Sequence, residues 1–134
     1  MAAAVLDSYA LLAFFRGEDT AVQVKQLLHH AASTDQPLHM TEVNYAEVKY
    51  TLIKKDGPAA WAQAAEILPS LPIEFHPADR RLADLAADFK ARHKISLADA
   101  FSAALAKERK AGLFTGDPEF KPLEKEIKIN WLTK

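Results

Sequence analysis

Apolar residues along this chain fall alternately into short unbroken runs and helix-spaced stripes. Ala2-Ala3-Ala4-Val5-Leu6 contains no polar residue and ends in Asp7-Ser8. A run without alternation is the pattern of a strand buried on both faces, as in a parallel sheet. Leu11, Leu12, Phe14 and Phe15 predict a short helix over 9–15, closed by Gly17. Glu18-Asp19-Thr20 opens a second helix carrying Val22, Val24, Leu27, Leu28 and Ala31 to about Ser33. Leu38-His39-Met40 reads as a strand, and Thr41 caps a third helix running to about Lys55, where Asp56-Gly57-Pro58 stops it. A fourth helix covers 59–68, and a strand covers 73–75. A fifth helix starts at His76-Pro77-Ala78-Asp79, carries Leu82, Leu85, Ala86 and Phe89, and ends at His93-Lys94. Ser96 opens a sixth helix to about Ala111. A strand over 112–115, the turn Gly116-Asp117-Pro118 and a last strand over 127–132 complete the chain, with Ile127, Ile129 and Trp131 on one face.

Five short strands separated mostly by helices make βαβ units, whose right-handed crossovers put helices on both faces. The predicted class is α/β: a three-layer α/β/α sandwich on a five-stranded, mostly parallel sheet. The length of 134 residues fits one domain over 1–134.

Composition narrows the chemistry. The formal net charge is −1, so nucleic acid could be held only by a local patch. Cysteine is absent, which removes disulfides, thiolate zinc sites and thiol nucleophiles. No apolar run approaches the ~20 residues of a membrane span. No basic segment precedes the first apolar run, as a signal peptide would require. The expectation is a soluble cytoplasmic protein. A phosphate-cradling Gly-x-x-x-x-Gly-Lys run is missing. Histidines 29, 30, 39, 76 and 93 show no metal-ligand spacing and are expected at the surface or in loops. Trp61 and Trp131 are expected to pack, and most basic residues to lie on solvated helix faces.

Four acids stand where a purely structural account strains. Asp7 ends the first strand, where ligands of open α/β sheets bind, although Asp is also a favoured N-cap. Glu47 lies on the stripe Val43, Ala46, Tyr50 and Ile53 expected to be buried; the alternative is an acid at the stripe's edge. Asp99 follows Ser96 in a capping-box-like Ser-x-x-Asp, at the head of a helix apolar on nearly every side. Asp117 follows the fourth strand and precedes Pro118, a good helix start in itself. All four can converge on one crevice, where they could not ionise together without a cation. An all-oxygen site suits Mg²⁺ or Mn²⁺.

Val5-Leu6-Asp7-Ser8, Thr41-Glu42-Val43-Asn44-Tyr45-Ala46-Glu47, Leu97-Ala98-Asp99-Ala100 and Thr115-Gly116-Asp117-Pro118-Glu119-Phe120 together resemble the motifs of the PIN-domain nucleases. Their order and spacing are most similar to the single-domain VapC-like toxins of toxin–antitoxin modules. The resemblance implies that Asp7, Glu47, Asp99 and Asp117 form an acidic quartet holding Mg²⁺ or Mn²⁺. It implies that Thr115 supports the site through its hydroxyl, with Ser8 a weaker candidate for the same role. Glu119 matches a position often acidic in the family. Pro118 departs from the pattern, standing where many relatives carry a polar or basic residue. The implied activity is metal-dependent endoribonuclease hydrolysis of RNA, with a cognate antitoxin, an RNA substrate and a homodimeric partner as its company. The homodimer is expected to use Val48 and Leu52 with Trp61, Ile67 and Leu68. A non-catalytic PIN-fold binding module and a phosphohydrolase on a similar sheet are the alternatives. The latter is disfavoured because Tyr9 stands where a haloacid-dehalogenase-type site needs a second Asp.

Overall fold

The computed structural model describes residues 3–133; Ala2, near the head of the first apolar run, lies outside them. Along the chain run β1 (Ala4–Leu6), α1 (Ser8–Arg16), α2 (Ala21–Thr34), β2 (Leu38–Thr41), α3 (Glu42–Asp56), α4 (Pro58–Ile67), β3 (Ile73–His76), α5 (Arg80–Arg92), α6 (Leu97–Glu108), β4 (Gly112–Thr115) and β5 (Ile129–Trp131). Two 3-10 segments, Leu68–Ser70 and Pro118–Leu123, follow α4 and β4. The strands are ordered β3-β2-β1-β4-β5, and every neighbouring pair is parallel.

The pleat sorts side chains between two helical layers. Val5 and Leu113 point towards α5 and α6, where they meet Phe89, Ala103, Ala104 and Leu105. Leu6 and Leu38 pack instead with Val24 and Leu28 of α2. Met40 packs with Leu11 of α1 and Val48 and Leu52 of α3. Thus β1 is buried on both faces, as its unbroken apolar run requires. Helix α6 is buried continuously from Asp99 to Ala106, its alanines allowing close approach to the sheet and to α5.

Three element boundaries differ from expectation for local reasons. Helix α6 ends at Glu108, because Lys110 turns into the left-handed region (φ 51°) and Ala111 N–H closes back on the Ala106 carbonyl at 2.8 Å. The turn after β4 continues as a 3-10 segment, anchored by the fully buried Phe120 and Leu123. β5 begins at Ile129, because the Ile127 N–H is already held by the Leu123 carbonyl at 3.1 Å.

Helix α3 carries the larger correction. Its buried stripe is Asn44, Val48 and Leu52, whereas Tyr50 is 52% exposed and Ala46 is also exposed. Val48 and Leu52 are core residues and cannot serve a dimer interface. A polar residue, Asn44, occupies a core position at the head of the stripe and hides its period. Glu47 lies about 60° from Asn44 and about 100° from Val48 around the helix, so it flanks the stripe and is half-buried. Leu68 is likewise internal, and Trp61 packs edge-to-face on Tyr45.

The histidines carry another correction. His39 is buried within β2, with its ring against His76 of β3. Cross-strand neighbours 37 positions apart are invisible to linear spacing.

The chain leaves β1 towards β2 and β3, then returns to β4 on the other side of β1. The direction of winding therefore reverses at β1, and the crevice beyond the carboxyl ends of β1 and β4 is the place for a ligand. Asp7 leaves β1 there, and Asp117 lies two residues beyond β4.

Candidate active site

Asp7 is 1% exposed and serves two roles at once. One carboxylate oxygen accepts from Ala10 N–H at 2.9 Å, capping α1. The other accepts from the Thr115 hydroxyl at 2.5 Å, across the β1–β4 pair. Thr115 in turn accepts from Asp117 N–H at 2.9 Å, so one side chain joins the first acid to the loop bearing the fourth. Asp117 also accepts from Glu119 N–H at 2.9 Å and starts the 3-10 segment. Gly116 between them lets the Tyr9 ring pack closely, since a Cβ there would lie 2.3 Å from that ring and the ring would have to move.

At α6, Ser96 accepts from Asp99 N–H at 3.1 Å, which is half of a capping box. The reciprocal donor, Ser96 N–H, goes to Glu119 at 3.3 Å. Asp99 is thereby released from the cap, and its carboxyl hydrogen-bonds the Glu119 carboxyl instead. Ligand atoms of Asp99, Asp117 and Glu119 lie within 4.8 Å of one another. Asp7 is placed against the same group, since Asp117 and Glu47 both act on its charge and Asp7 acts on that of Asp99. Glu47 accepts from Tyr50 Oη at 3.5 Å. The structure thus brings Asp7, Asp99, Asp117 and Thr115 together and adds Glu119, with Glu47 at the margin, within electrostatic reach of Asp7.

The electrostatics follow from burying acids side by side. Desolvation pushes the Asp7 carboxyl up from 3.8 to about 7, against the Thr115 and Ala10 hydrogen bonds that lower it; Asp117 and Glu47 push it further. Asp99 is pushed up to about 9, again first by burial, then by Asp117, the Glu119 hydrogen bond and Asp7. Near neutral pH this crevice holds protons where ordinary carboxylates have lost them.

Asn44 was absent from the expected site but supports it. Its side chain lies between Thr41 and Ser8, donating to Ser8 Oγ at 3.0 Å and to the Ala98 carbonyl at 3.2 Å. Ser8 donates back to the Asn44 carbonyl at 3.3 Å. Asn44 therefore fixes the residue after Asp7 and the residue before Asp99. The available signal was its position three residues after the N-cap Thr41, whose hydroxyl accepts from Asn44 N–H at 3.0 Å. Asn44→Ala should lower stability by at least about 2 kcal/mol, because it orphans several fully buried polar groups. An unchanged urea midpoint would show that these bonds are replaceable.

The apolar hollow lined by Ala3, Leu27, Ala31, Leu38 and Gly112 lies at the opposite, amino ends of the strands and has no part in this chemistry. No helix among the described residues is long and apolar enough to cross a membrane.

A family model described as the PIN domain matches residues 4–126. Solved structures with the same fold include the DNA-bound VapBC complex of Salmonella typhimurium, at 16% identity over 99% of this chain and 100% of that one (TM-score 0.76). The promoter-bound VapBC complex of Rickettsia felis is 14% identical over 97% of this chain and 98% of that one (TM-score 0.74). A sarcin-ricin-loop-cleaving VapC toxin of Mycobacterium tuberculosis is 21% identical over 90% of this chain and 94% of that one (TM-score 0.73). No curated protein matches the sequence.

Proposed function

Since this chain belongs to the PIN-domain family, we propose that it is a divalent-metal-dependent endoribonuclease, the toxin of a VapBC-like pair, acting as one cytoplasmic domain. The observation that carries this reading is the convergence of Asp7, Asp99, Asp117 and Glu119 on one crevice, with Glu47 within electrostatic reach of Asp7. Their donor chemistry fits a hard cation: all ligands are carboxylate oxygens, and burial, then mutual repulsion, drives the Asp7 and Asp99 carboxyls towards their protonated forms, which a bound cation would offset.

Asp7, Asp99 and Asp117 would hold Mg²⁺ or Mn²⁺, with Glu47 a further ligand or an outer base. Such an ion, when bound, supplies a nucleophilic water at neutral pH and offsets charge developing on a phosphoryl group. Thr115 holds Asp7 in one orientation by donating to it, and fixes the Asp117 loop by accepting from it. Glu119 takes the Ser96 N–H, so the Asp99 carboxyl faces the other acids of the site and not its own helix cap. The proposed reaction adds water oxygen to phosphorus and breaks the bond to the 3′ oxygen, leaving a 5′-phosphate and a 3′-hydroxyl.

The family's VapBC complexes support a protein antitoxin as partner. A guanidinium pairs bidentately with carboxylates, so an Arg of that partner entering the crevice would compete with the ion. Exposed Tyr50 and Ile67 are what α3 and α4 leave to a second copy of the chain.

The test is incubation of the purified chain with total RNA and Mn²⁺, with mapping of the cut ends. The expected result is cleavage that leaves 5′-phosphates and stops in EDTA. Undiminished cleavage in chelator, or 2′,3′-cyclic phosphate ends, would contradict the proposal.

A further inference from the structure

On the sheet face opposite Met40 and Phe75, a second group of metal-ligating side chains stands apart from the carboxylate crevice and shares no residue with it. β2 and β3 run parallel with His39 opposite Glu74 and Thr41 opposite His76. The pleat puts residues 39, 74 and 76 on one face. His39 Nδ1 lies 2.9 Å from His76 Nε2 and 3.2 Å from Glu74 Oε2, and His76 Nε2 lies 3.5 Å from that same oxygen. These three atoms therefore form a nearly equilateral triangle.

A shared proton accounts for that triangle only in part: one ring N–H bifurcated between the other ring nitrogen and Glu74 serves two edges and leaves two acceptors facing each other across the third. Each ring nitrogen carries at most one proton, and an ionised carboxylate oxygen carries none. If His39 donates to His76, the His76 lone pair faces the Glu74 lone pairs. If both nitrogens are protonated and point at Glu74, two N–H groups meet head-on across 2.9 Å. A single cation at the centre satisfies all three edges. Four-coordinate zinc with bonds of about 2.0–2.1 Å sets its ligand atoms about 3.3–3.4 Å apart, close to the observed separations.

We propose that His39, Glu74 and His76 form a transition-metal site, with Zn²⁺ its best-matched ion, that clips edge strand β3 to β2. Two imidazoles and one carboxylate are a borderline donor set, unlike the all-carboxylate crevice, so the two sites sort ions by chemistry. The His39 side chain is 8% exposed and the Glu74 side chain 55%, which leaves the fourth position facing solvent. Arg109, beyond the end of α6, acts electrostatically against a positive charge on His39, as His76 does. β3 is a four-residue edge strand paired on one side only, so a clip to β2 ties down the margin of the sheet.

The test uses the tag-free full chain and Zn²⁺ alone, competed against a chromophoric chelator, with Co²⁺ absorption as a second readout. Asp99→Asn with Asp117→Asn removes the carboxylate site from consideration. That double variant should still bind one equivalent of Zn²⁺, give a tetrahedral Co²⁺ spectrum and melt at higher temperature with Zn²⁺. His76→Gln should weaken Zn²⁺ at least about a hundredfold, since even outer-shell changes cost ten- to a hundredfold. Glu74→Gln, at a half-exposed side chain, gives the same loss without risk to the core. Arg109→Gln should tighten binding. Equal Zn²⁺ affinity in wild type and both ligand variants, or binding lost only with the crevice acids, would overturn the proposal and leave a hydrogen-bonded triad.

Discussion

Asp99→Asn should raise the melting temperature of the metal-free chain while lowering RNA cleavage at least about a thousandfold. The two effects have one cause. Asp99 is buried against Asp117, Glu119 and Asp7, and burial is the largest reason its carboxyl is pushed up to about 9. An amide has the same shape, carries no charge and can still donate to Glu119. Near neutral pH the folded wild type must keep on Asp99 a proton that the unfolded chain has released; the amide needs none and costs no packing, and each unit of such a shift corresponds to about 1.4 kcal/mol. A gain of at least about 1 kcal/mol in chelator is expected. The same change removes a charged oxygen ligand, and a thousandfold loss corresponds to about 4 kcal/mol of transition-state stabilisation. If Asp99→Asn melts lower and cleaves normally, Asp99 only starts α6.

In chelator, stability should fall as pH rises from about 6.5 to 9. Asp7 and Asp99 bind their protons more tightly in the folded chain, at about 7 and about 9 against an ordinary 3.8. Between those limits the folded chain holds protons that the unfolded chain has released. Stability fully present below about pH 4 is therefore lost as pH rises, with a slope of up to about 1.4 kcal/mol per pH unit for each group. Other groups act elsewhere. Asp56 and Glu126, lowered by Arg16 and Arg92, add stability as pH rises through the ordinary carboxylate range. His39, lowered by burial, adds it up to about 6.5. The fall above 6.5 belongs to the crevice, and saturating Mn²⁺ should flatten it by replacing the bound protons. Thermal melts across that range with and without Mn²⁺ decide the matter; a metal-free stability that rises towards pH 9 would mean the acids do not crowd one another.

How far the sequence could be read depended on whether a signal was local. The unbroken run ending at Leu6 and the stretch 112–115, polar only at its last residue Thr115, identified two central strands, because burial on both faces leaves no alternation to mislead. Asp7 could be read either as a cap or as a site residue, and its two oxygens divide those contacts between Ala10 and Thr115. Glu119 was placed by motif alone, since its bond to Ser96 N–H joins elements 23 residues apart. The α3 stripe departs from the expected one because Asn44, polar and fully buried, donates its side-chain amide to α1 and α6, partners that its own helix does not reveal. His39, Glu74 and His76 were invisible for the same reason: strand pairing, and not spacing, makes them neighbours.

The most direct measurement of the account is a single Mn²⁺ titration followed by calorimetry and by RNA cleavage on the same preparation, for wild type and Asp99→Asn. The account predicts that cleavage appears over the concentration range in which the crevice fills, and that Asp99→Asn weakens that binding and removes the cleavage together. Cleavage at full rate before any ion binds, or loss of cleavage in Asp99→Asn with Mn²⁺ affinity unchanged, would contradict it.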